Sequence, residues 1–229
     1  MRVVIVTIKS WNILNAEKIM KKYSTGIEWM LISNKEDFNV NVLSKFNPDY
    51  ILFPHWSWII PKEIYETYEC LVFHMTDLPF GRGGSPLQNL IIRGIENTKI
   101  SAILVSKELD AGGIYLKNDL SLNGTADEIF IRASKIIFFE MIPLIIKGDI
   151  KPIEQSGEVV HFKRRNPSDS EIDSSISSME EFYNHIRMLD GQGYPKAFIK
   201  FGKYRLEFSR ASFKGDRIIS DIIITEVEK

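Results

Sequence analysis

The sequence predicts an α/β fold with a mainly parallel sheet, followed by a small α+β C-terminal region. Over the first 150 residues, short β-branched runs alternate with helical stretches, an order typical of parallel strands joined by helices. Three closely spaced strand runs follow a single helix at the end of the chain. We therefore expect one domain at 1–150 and a linker with a small α+β domain at 151–229.

The strands of the first domain are expected where apolar, β-branched residues cluster. Val3-Val4-Ile5-Val6 is continuously apolar, as a strand buried on both faces requires. The same reasoning predicts six strands over 3–8, 29–32, 50–53, 70–73, 100–105 and 114–116.

Helices are expected between these strands and directly after the last one. Two are predicted over 15–23 and 35–46, and two more begin at Pro61 and Pro86, because proline is well suited to the first turn of a helix. A long helix is predicted over 125–147, since Thr125 and Glu128 have capping-box spacing and Gly148 can end it.

The C-terminal region begins with a change of pattern. Residues 151–173 are mostly polar with few strand signals, and we interpret them as a linker that crosses back over the first domain. Ser178 and Glu181 form a second capping box that opens a helix to about residue 189. Three strands are predicted over 197–201, 205–213 and 218–226, joined by glycine-containing turns.

Composition limits the classes of partner. The net charge is −1, and no basic run exceeds Lys163-Arg164-Arg165, whereas proteins that grip nucleic acid carry a basic face. The single cysteine, Cys70, excludes an internal disulfide and suits a reducing compartment. The longest apolar stretch, 136–146, is interrupted by Glu140 and Pro143, so no membrane-spanning helix is predicted. We expect a soluble, cytoplasmic protein without a nucleic-acid partner, a membrane or a metal.

Two titratable residues stand where strands end. His74 follows the fourth strand, and Asp110 lies in a glycine-bearing loop between two strands. Ligands of open α/β sheets bind beyond the carboxyl ends of strands. A histidine and a carboxylate on neighbouring loops suit general acid–base chemistry, in which the carboxylate stabilises the charged imidazole. A structural histidine and an ordinary Asp-Ala-Gly turn remain the alternative.

The combination of motifs is more specific than either residue. His-x-Thr-x-Leu-Pro-x-x-Arg-Gly-Gly-Ser-Pro-Leu-Gln begins at His74, and Leu-Asp-Ala-Gly follows at 109–112. Together they closely resemble the formyltransferase family, which includes methionyl-tRNA formyltransferase, glycinamide ribonucleotide transformylase and nucleotide-sugar N-formyltransferases. The likeness continues in order through 59–61, 162–172 and 186–197.

The resemblance implies that 1–150 is a Rossmann-like domain that holds N10-formyltetrahydrofolate and carries a catalytic Asn, His and Asp. His74 and Asp110 match two of the three, but Val72 occupies the position of the Asn. In the family that Asn is taken to donate a hydrogen bond to the oxyanion, and losing such a donor costs about 2.7–4 kcal/mol. Three outcomes stay open: another donor, such as protonated His74 or a loop N–H, a slow enzyme, or a domain that only binds.

The resemblance also implies a pocket for the pteridine ring of the folate. Family members line it at positions that match Ser57, Trp58 and Ile60, and Leu104 and Leu109 are expected to close it. An apolar slot with backbone polar groups suits a flat heterocycle. The alternative for Ile60, Leu104 and Leu109 is plain core.

Acceptor contacts are expected after the first strand and in the glycine loop. Lys9, Ser10 and Asn12 match positions at which family members contact the acceptor or its phosphates, and helix N-terminal amides suit an anion. Asn12 as a simple helix cap is the alternative. Arg82 suits bidentate binding of a phosphate or carboxylate, with a loop-bracing salt bridge as its alternative.

These features predict N-formylation of a nucleotide-linked 4-amino-dideoxy sugar, with a UDP-linked acceptor of a pseudaminic acid-type pathway as the more specific hypothesis. We expect a small-molecule nucleotide-sugar partner, because charge is balanced and the tail is short for a tRNA-binding domain. The tail suits dimerisation or covering of a small site, so a homodimer is one expected state. Formyltetrahydrofolate hydrolysis and a non-catalytic folate-binding homologue remain alternatives.

Overall fold

The strands of the protein were located in a computed structural model that describes residues 1–227. Within that range they are β1 (Arg2–Thr7), β2 (Glu28–Ile32), β3 (Tyr50–His55), β4 (Glu69–His74), β5 (Phe80–Gly83), β6 (Asn97–Leu104), β7 (Ile114–Ser121), β8 (Val160–Phe162), β9 (Ala197–Phe201), β10 (Tyr204–Phe213) and β11 (Ile218–Glu226).

Helices separate most of the strands in the first part of the chain. They are α1 (Ser10–Lys22), α2 (Val40–Phe46), α3 (Lys62–Tyr65), α4 (Pro86–Ile91), α5 (Ala126–Ile136), α6 (Ile142–Ile145) and α7 (Met179–Arg187). A π-helical turn, Ile137–Met141, joins α5 to α6, and a 3₁₀ helix spans Pro167–Ser170.

The central sheet has six strands in the order β2-β1-β3-β4-β6-β7. The first four are parallel, whereas β6 runs antiparallel to β4. Residues 3–6 of β1 and 51–53 of β3 are fully or almost fully buried, as expected for central strands covered on both faces. The prediction of a mainly parallel, Rossmann-like sheet is confirmed.

The C-terminal sheet is antiparallel, with the order β11-β10-β9. Helix α7 is capped at its N-terminus by Ser178, whose hydroxyl accepts a hydrogen bond from the Glu181 amide. This helix and the three strands confirm the predicted small α+β region.

Several local predictions were wrong in their extent, among them the strand expected over 114–116, which runs over Ile114–Ser121. The helix expected over 35–46 is confined to α2, because the Asn39 side chain caps it by accepting from the amide of Val42 at 3.1 Å. The helix expected over 15–23 already begins at Ser10. The glycine loop after His74 contains β5, and the linker over 151–173 contains β8 and the 3₁₀ helix.

The described chain divides into two compact units, each built from several segments. Unit 1 takes Met1–Arg82, Lys99–Leu120 and Ile131–His161. Unit 2 takes Gly83–Thr98, Ser121–Phe130 and the chain from Phe162 onward. All residues that the sequence singles out for chemistry or binding therefore fall within unit 1.

Candidate active site

His74 is held at the end of β4 by contacts at both ring nitrogens. It is the last residue of a strand that is mostly buried, and it is itself buried. Its Nε2 atom lies 2.8 Å from the carbonyl oxygen of Gly81, which also accepts from the hydroxyl of Thr76 at 3.3 Å. The loop that returns to Gly81 therefore fixes the ring from one side.

Asp110 approaches the other side of the imidazole ring. Its Oδ2 atom lies 3.5 Å from Nδ1 of His74, and only 11% and 9% of the two side chains are exposed. This separation is that of a loose ion pair rather than a short hydrogen bond. Because so little of either side chain meets water, solvent screens the charges weakly.

The position of Asp110 depends on the loop after β6. In the antiparallel pairing, Leu104 at the end of β6 aligns with Leu71, and Ser101 aligns with His74. The neighbour of His74 on β6 is therefore Ser101, and Asp110 contacts His74 from the loop that follows β6. Its backbone adopts a left-handed conformation with φ 54°, which costs energy for a residue with a Cβ and is tolerated best by Asn and Asp.

A glycine lets this loop fold close to the end of β6. A Cβ at Gly112 would lie 1.8 Å from the carbonyl oxygen of Leu104, far inside any permitted contact. The next residue, Gly113, accepts a hydrogen bond from the amide of Leu104 at 2.9 Å. Position 112 therefore requires glycine for the backbone to approach so closely.

Gln155 is a site residue that the sequence did not single out. Its amide nitrogen donates to the carbonyl oxygens of Asp110 and Gly112, both at 2.8 Å. Its amide oxygen accepts from Nε and Nη2 of Arg82, at 3.0 and 2.8 Å. No local signal marks a glutamine in a polar stretch as a partner of residues so far away in the chain.

Both ring nitrogens of His74 face hydrogen-bond acceptors. Gly81 presents a carbonyl oxygen to Nε2, and Asp110 presents a carboxylate oxygen to Nδ1. A backbone carbonyl only accepts hydrogen bonds, so Nε2 is the donor in the shorter contact. The ring is therefore oriented by one acceptor on each side.

Val72 lies in the middle of the sheet. It pairs with Phe53 on β3 and with Ile103 on β6, and it packs against the buried cluster that contains Ile60 and Cys70. It is two residues before His74 and so shares its face of the sheet. An apolar, half-buried contact replaces the amide that the family resemblance implies at this position.

The residues expected to line the pteridine pocket have different environments. Ile60 is buried in the core, as its alternative interpretation stated, and Leu104 is half-buried. Leu109 is 70% exposed and Trp58 37% exposed, and Ser57 is also exposed. The core alternative for Leu109 is therefore wrong.

An aromatic cluster surrounds Trp58. Its ring centroid lies 4.7 Å from that of Trp56, which in turn contacts Phe38 at 5.4 Å. The ammonium of Lys35 lies 5.2 Å from the Trp58 ring centroid, within cation–π range. Among the described residues, the buried indole nitrogen of Trp56 has no hydrogen-bond partner.

The residues expected to contact an acceptor lie at the start of α1 and beside β5. Lys9 is the N-cap residue and makes no side-chain cap bond, and Ser10 is the first helical residue. Asn12 is buried and donates to the Thr7 hydroxyl at 3.0 Å, so the interpretation of Asn12 as a cap is wrong. Arg82 is braced by the neutral amide of Gln155 rather than by the expected salt bridge.

Two further groups are strongly perturbed by burial. Desolvation, with a smaller contribution from Lys9, lowers the pKa of His55 from 6.5 to about 4. Burial raises the pKa of the Cys70 thiol to about 12, because the side chain is fully enclosed in the core. Both groups are thus uncharged at neutral pH.

Residues 1–227 contain neither a cluster of potential metal ligands nor a membrane-spanning helix. That range holds no group of three or more His, Cys, Asp or Glu side chains placed to bind a metal ion. It also holds no helix with the length and apolar character that crossing a bilayer requires.

The fold and the site define a Rossmann-like α/β protein with a buried imidazole–carboxylate pair beside its central sheet. Comparison with known families extends this description. The profile of the family described as formyl transferase matches residues 9–131, and that of the methionyl-tRNA formyltransferase C-terminal domain matches 167–225. The first match covers more than half of the chain, which therefore belongs to the formyltransferase family.

Individual relatives agree with this membership. A solved structure described as methionyl-tRNA formyltransferase from Clostridium thermocellum is 57% identical, with a TM-score of 0.96 over 99% of both chains. The methionyl-tRNA formyltransferase of Bacillus cytotoxicus is 33% identical over 62% of this chain and 48% of its own. A sugar N-formyltransferase from Shewanella shares the fold at 13% identity, with a TM-score of 0.68 over 100% and 99% of the chains.

The relatives differ in length. The chain spans about half the length of the curated relatives that it matches, whereas it is nearly coextensive with the Clostridium and Shewanella chains. The formyltransferase family uses N10-formyltetrahydrofolate as its formyl donor, as the resemblance implied.

Proposed function

We propose that this protein transfers a formyl group from N10-formyltetrahydrofolate to a primary amine. The observation that carries the proposal is the buried pair of His74 and Asp110, in which the carbonyl of Gly81 occupies the second ring nitrogen. Such a pair is suited to proton transfer and to stabilising negative charge that develops during acyl transfer.

The charge of His74 supplies what Val72 cannot. When an amine attacks a formyl carbon, negative charge develops on the carbonyl oxygen, and a nearby cation stabilises it most effectively where water is excluded. Val72 carries no donor, whereas the nearly buried ring of His74 lies between the carbonyl oxygen of Gly81 and the carboxylate of Asp110. We therefore assign the oxyanion-stabilising role to protonated His74.

The pair also balances the protons of the reaction. The amine nitrogen forms a bond to the formyl carbon and loses a proton, while the bond to the folate nitrogen breaks and that nitrogen gains one. His74, as the imidazolium, donates the proton of Nδ1, the nitrogen whose 3.5 Å contact with Asp110 is loose, to the leaving nitrogen. The Asp110 carboxylate accepts the proton from the amine and returns it to His74, so the protein ends in its starting protonation state.

Trp58, Leu109 and Trp56 offer the kinds of contact that a bound folate requires. Exposed faces of Trp58 and Leu109 offer apolar surface to a flat ring, and the unpartnered indole N–H of Trp56 offers a hydrogen-bond donor. The bound folate supplies the activated formyl carbon. We assign its binding to four of the residues that the sequence predicted, namely Ser57, Trp58, Leu104 and Leu109.

The start of α1 is suited to an anionic group of the acceptor. The helix has thirteen residues, Lys9 precedes its first turn, and that turn contains no acidic side chain. The helix dipole favours an anion there. We assign acceptor binding to Lys9, Ser10 and Asn12, and to Arg82.

Two candidate molecules could accept the formyl group, and different observations support them. The relative that is 57% identical over nearly its whole length is described as methionyl-tRNA formyltransferase, which supports the α-amino group of methionyl-tRNA. This relative and the curated ones stand against our expectation of a protein without a nucleic-acid partner. The nucleotide-linked amino sugar is the second candidate, supported by the net charge of −1 and by the end-to-end fold match to a sugar N-formyltransferase.

One experiment separates these acceptors. The purified protein is incubated with formyl-folate and either methionyl-tRNA or a panel of UDP- and dTDP-linked amino sugars, and each product is examined by mass spectrometry for one added formyl group. The His74→Ala variant is the control for uncatalysed transfer. A tRNA acceptor should also bind more weakly as salt increases, with a slope of about −0.9 per phosphate contact for duplex.

The remaining outcomes decide between the alternatives. Release of tetrahydrofolate and formate without an acceptor would identify a hydrolase. Folate binding without turnover would identify a non-catalytic homologue and would contradict the proposed function.

A further inference from the structure

We propose that Gln155 is a positioning residue that holds the Asp110 loop in register with His74. This inference rests on the proposed function, because it concerns the pair to which we assign the chemistry. Gln155 lies in a segment that the sequence predicts only as a linker, and nothing in the motif around His74 points to it.

The first argument is that every hydrogen-bonding function of the Gln155 side chain is used. Its oxygen accepts twice from Arg82, at 3.0 and 2.8 Å, and its nitrogen donates once to each of two carbonyl oxygens at 2.8 Å. A primary amide offers two donors and one oxygen with two lone pairs. The amide oxygen must face the guanidinium of Arg82, and the amide nitrogen must face the two backbone carbonyl groups. These contacts fix the orientation of the Gln155 amide.

The second argument concerns the loop that Gln155 holds. The two carbonyl groups belong to Asp110 and Gly112, which flank the tightest point of the loop. Asp110 is left-handed, and Gly112 lies directly against the carbonyl of Leu104. A backbone in such a conformation persists only where its surroundings determine it.

The third argument is that the segment carrying Gln155 is itself anchored. Ile153, two residues earlier, pairs with Ile114 by reciprocal backbone hydrogen bonds of 2.7 and 2.9 Å. Ile114 begins β7, the strand that follows the Asp110 loop. The amide of Gln155 is therefore presented from a fixed backbone, and the loop is held at both its end and its middle.

Arg82 completes the arrangement. One edge of its guanidinium, formed by Nε and Nη2, is engaged by Gln155. A chain of contacts thus runs from Arg82 through Gln155 to the backbone of Asp110. If an anionic group of the formyl acceptor binds Arg82, the Gln155 amide positions two groups at once. These are the Arg82 guanidinium and the loop that carries the Asp110 carboxylate.

The test uses Gln155→Glu in the full-length protein. A carboxylate keeps the acceptor for Arg82 but has no N–H, so an oxygen faces the carbonyls of Asp110 and Gly112. We expect kcat to fall at least about tenfold, since small displacements of reacting groups reduce rates strongly, while KM for formyl-folate changes less than about twofold. Glu154→Gln, at the exposed neighbouring position, is the matched control and should leave both constants unchanged.

A readout independent of turnover accompanies the kinetics. The ring-nitrogen NMR signals of His74 report its contact with Asp110, and we expect Gln155→Glu to shift them in the protein without substrates. If that variant does not fold, Gln155→Asn keeps the amide but shortens its reach and should shift the same signals. Unchanged ring signals would overturn the proposal.

A double-variant comparison tests the route of the effect. If Gln155 acts through Asp110, then Gln155→Glu should reduce kcat much less in an Asp110→Asn background than in the native protein. An equal reduction in both backgrounds would overturn the proposal. If the native protein transfers no formyl group, the proposed function fails, yet the NMR comparison still decides the role of Gln155.

Discussion

The Nε2 atom of His74 lies 2.8 Å from the carbonyl oxygen of Gly81, so this nitrogen must carry a proton for the contact to be favourable. The opposite nitrogen then faces the Asp110 carboxylate. Two acceptors on one ring distinguish this site from a histidine poised as a free base. The ring is thus held between an acceptor in β5 and an acceptor in the loop after β6.

Removal of either member of the pair should abolish most of the activity. We expect His74→Ala and Asp110→Asn each to lower kcat at least about 100-fold, the usual scale of acid–base contributions. His161→Ala and Asp119→Asn change exposed residues of the same types and should retain native turnover. Near-native turnover of a folded pair variant would refute the assignment.

The substitution Val72→Asn should destabilise the protein. The site is enclosed by Phe53, Ile103 and an apolar cluster, and an unpaired amide in such surroundings costs about 1–3 kcal/mol. Urea unfolding measures the free energy of unfolding, and Val159→Asn at an exposed position is the matched control. A stable variant with faster turnover would instead show that position 72 reaches the reacting atoms.

Stability should decrease on mild acidification because of His55. Its folded-state pKa of about 4 lies below the ordinary value of 6.5, so the unfolded chain binds the proton more readily. The contribution of neutral His55 is complete above pH 6.5 and is lost as the pH falls towards 4, in total roughly 2–3 kcal/mol.

The pH effect can be isolated with one variant. His55→Gln should flatten the dependence of unfolding free energy on pH over this window, whereas His161→Gln, at an exposed site, should leave it unchanged. The pKa of His185 is also lowered, by burial and by Arg165, so some acid sensitivity should remain. An identical slope in His55→Gln and the native protein would contradict the prediction.

Two adjacent glycines should differ in their tolerance of a methyl group. A Cβ at Gly112 would lie 1.8 Å from a backbone oxygen, whereas one at Gly113 would lie 3.0 Å from a side-chain carbon of Pro152. We expect Gly112→Ala to lower both kcat and the melting temperature more than Gly113→Ala does, because backbone yields less readily than a side chain. Equal melting temperatures would disprove the close approach at Gly112.

The sequence predicts those parts of the fold that depend on local pattern. The apolar run of β1 and the capping serine of α7 identify their elements directly. The direction of β6 has no such signal, because a strand buried on both faces reads the same in either orientation. Asn39 is a favourable N-cap residue and marks the start of α2, but the helical spacing of the residues around it predicted a longer helix.

Site prediction has the same limit. His74 and Asp110 were found through a motif, whereas Gln155 contacts residues 45 and 73 positions away. A glutamine acquires such partners only when the chain folds, so the residue type alone does not predict them. The exposure of Leu109 likewise depends on the path of its loop rather than on its apolar side chain.

The interleaving of the two units has a consequence for synthesis on the ribosome. Unit 1 receives its last segment, Ile131–His161, only after two stretches of unit 2 have been made. Gln155 emerges within that segment, so a nascent chain that already contains His74 and Asp110 still lacks the residue that holds them in register. We expect the site to become ordered only after residue 155 has emerged from the ribosome.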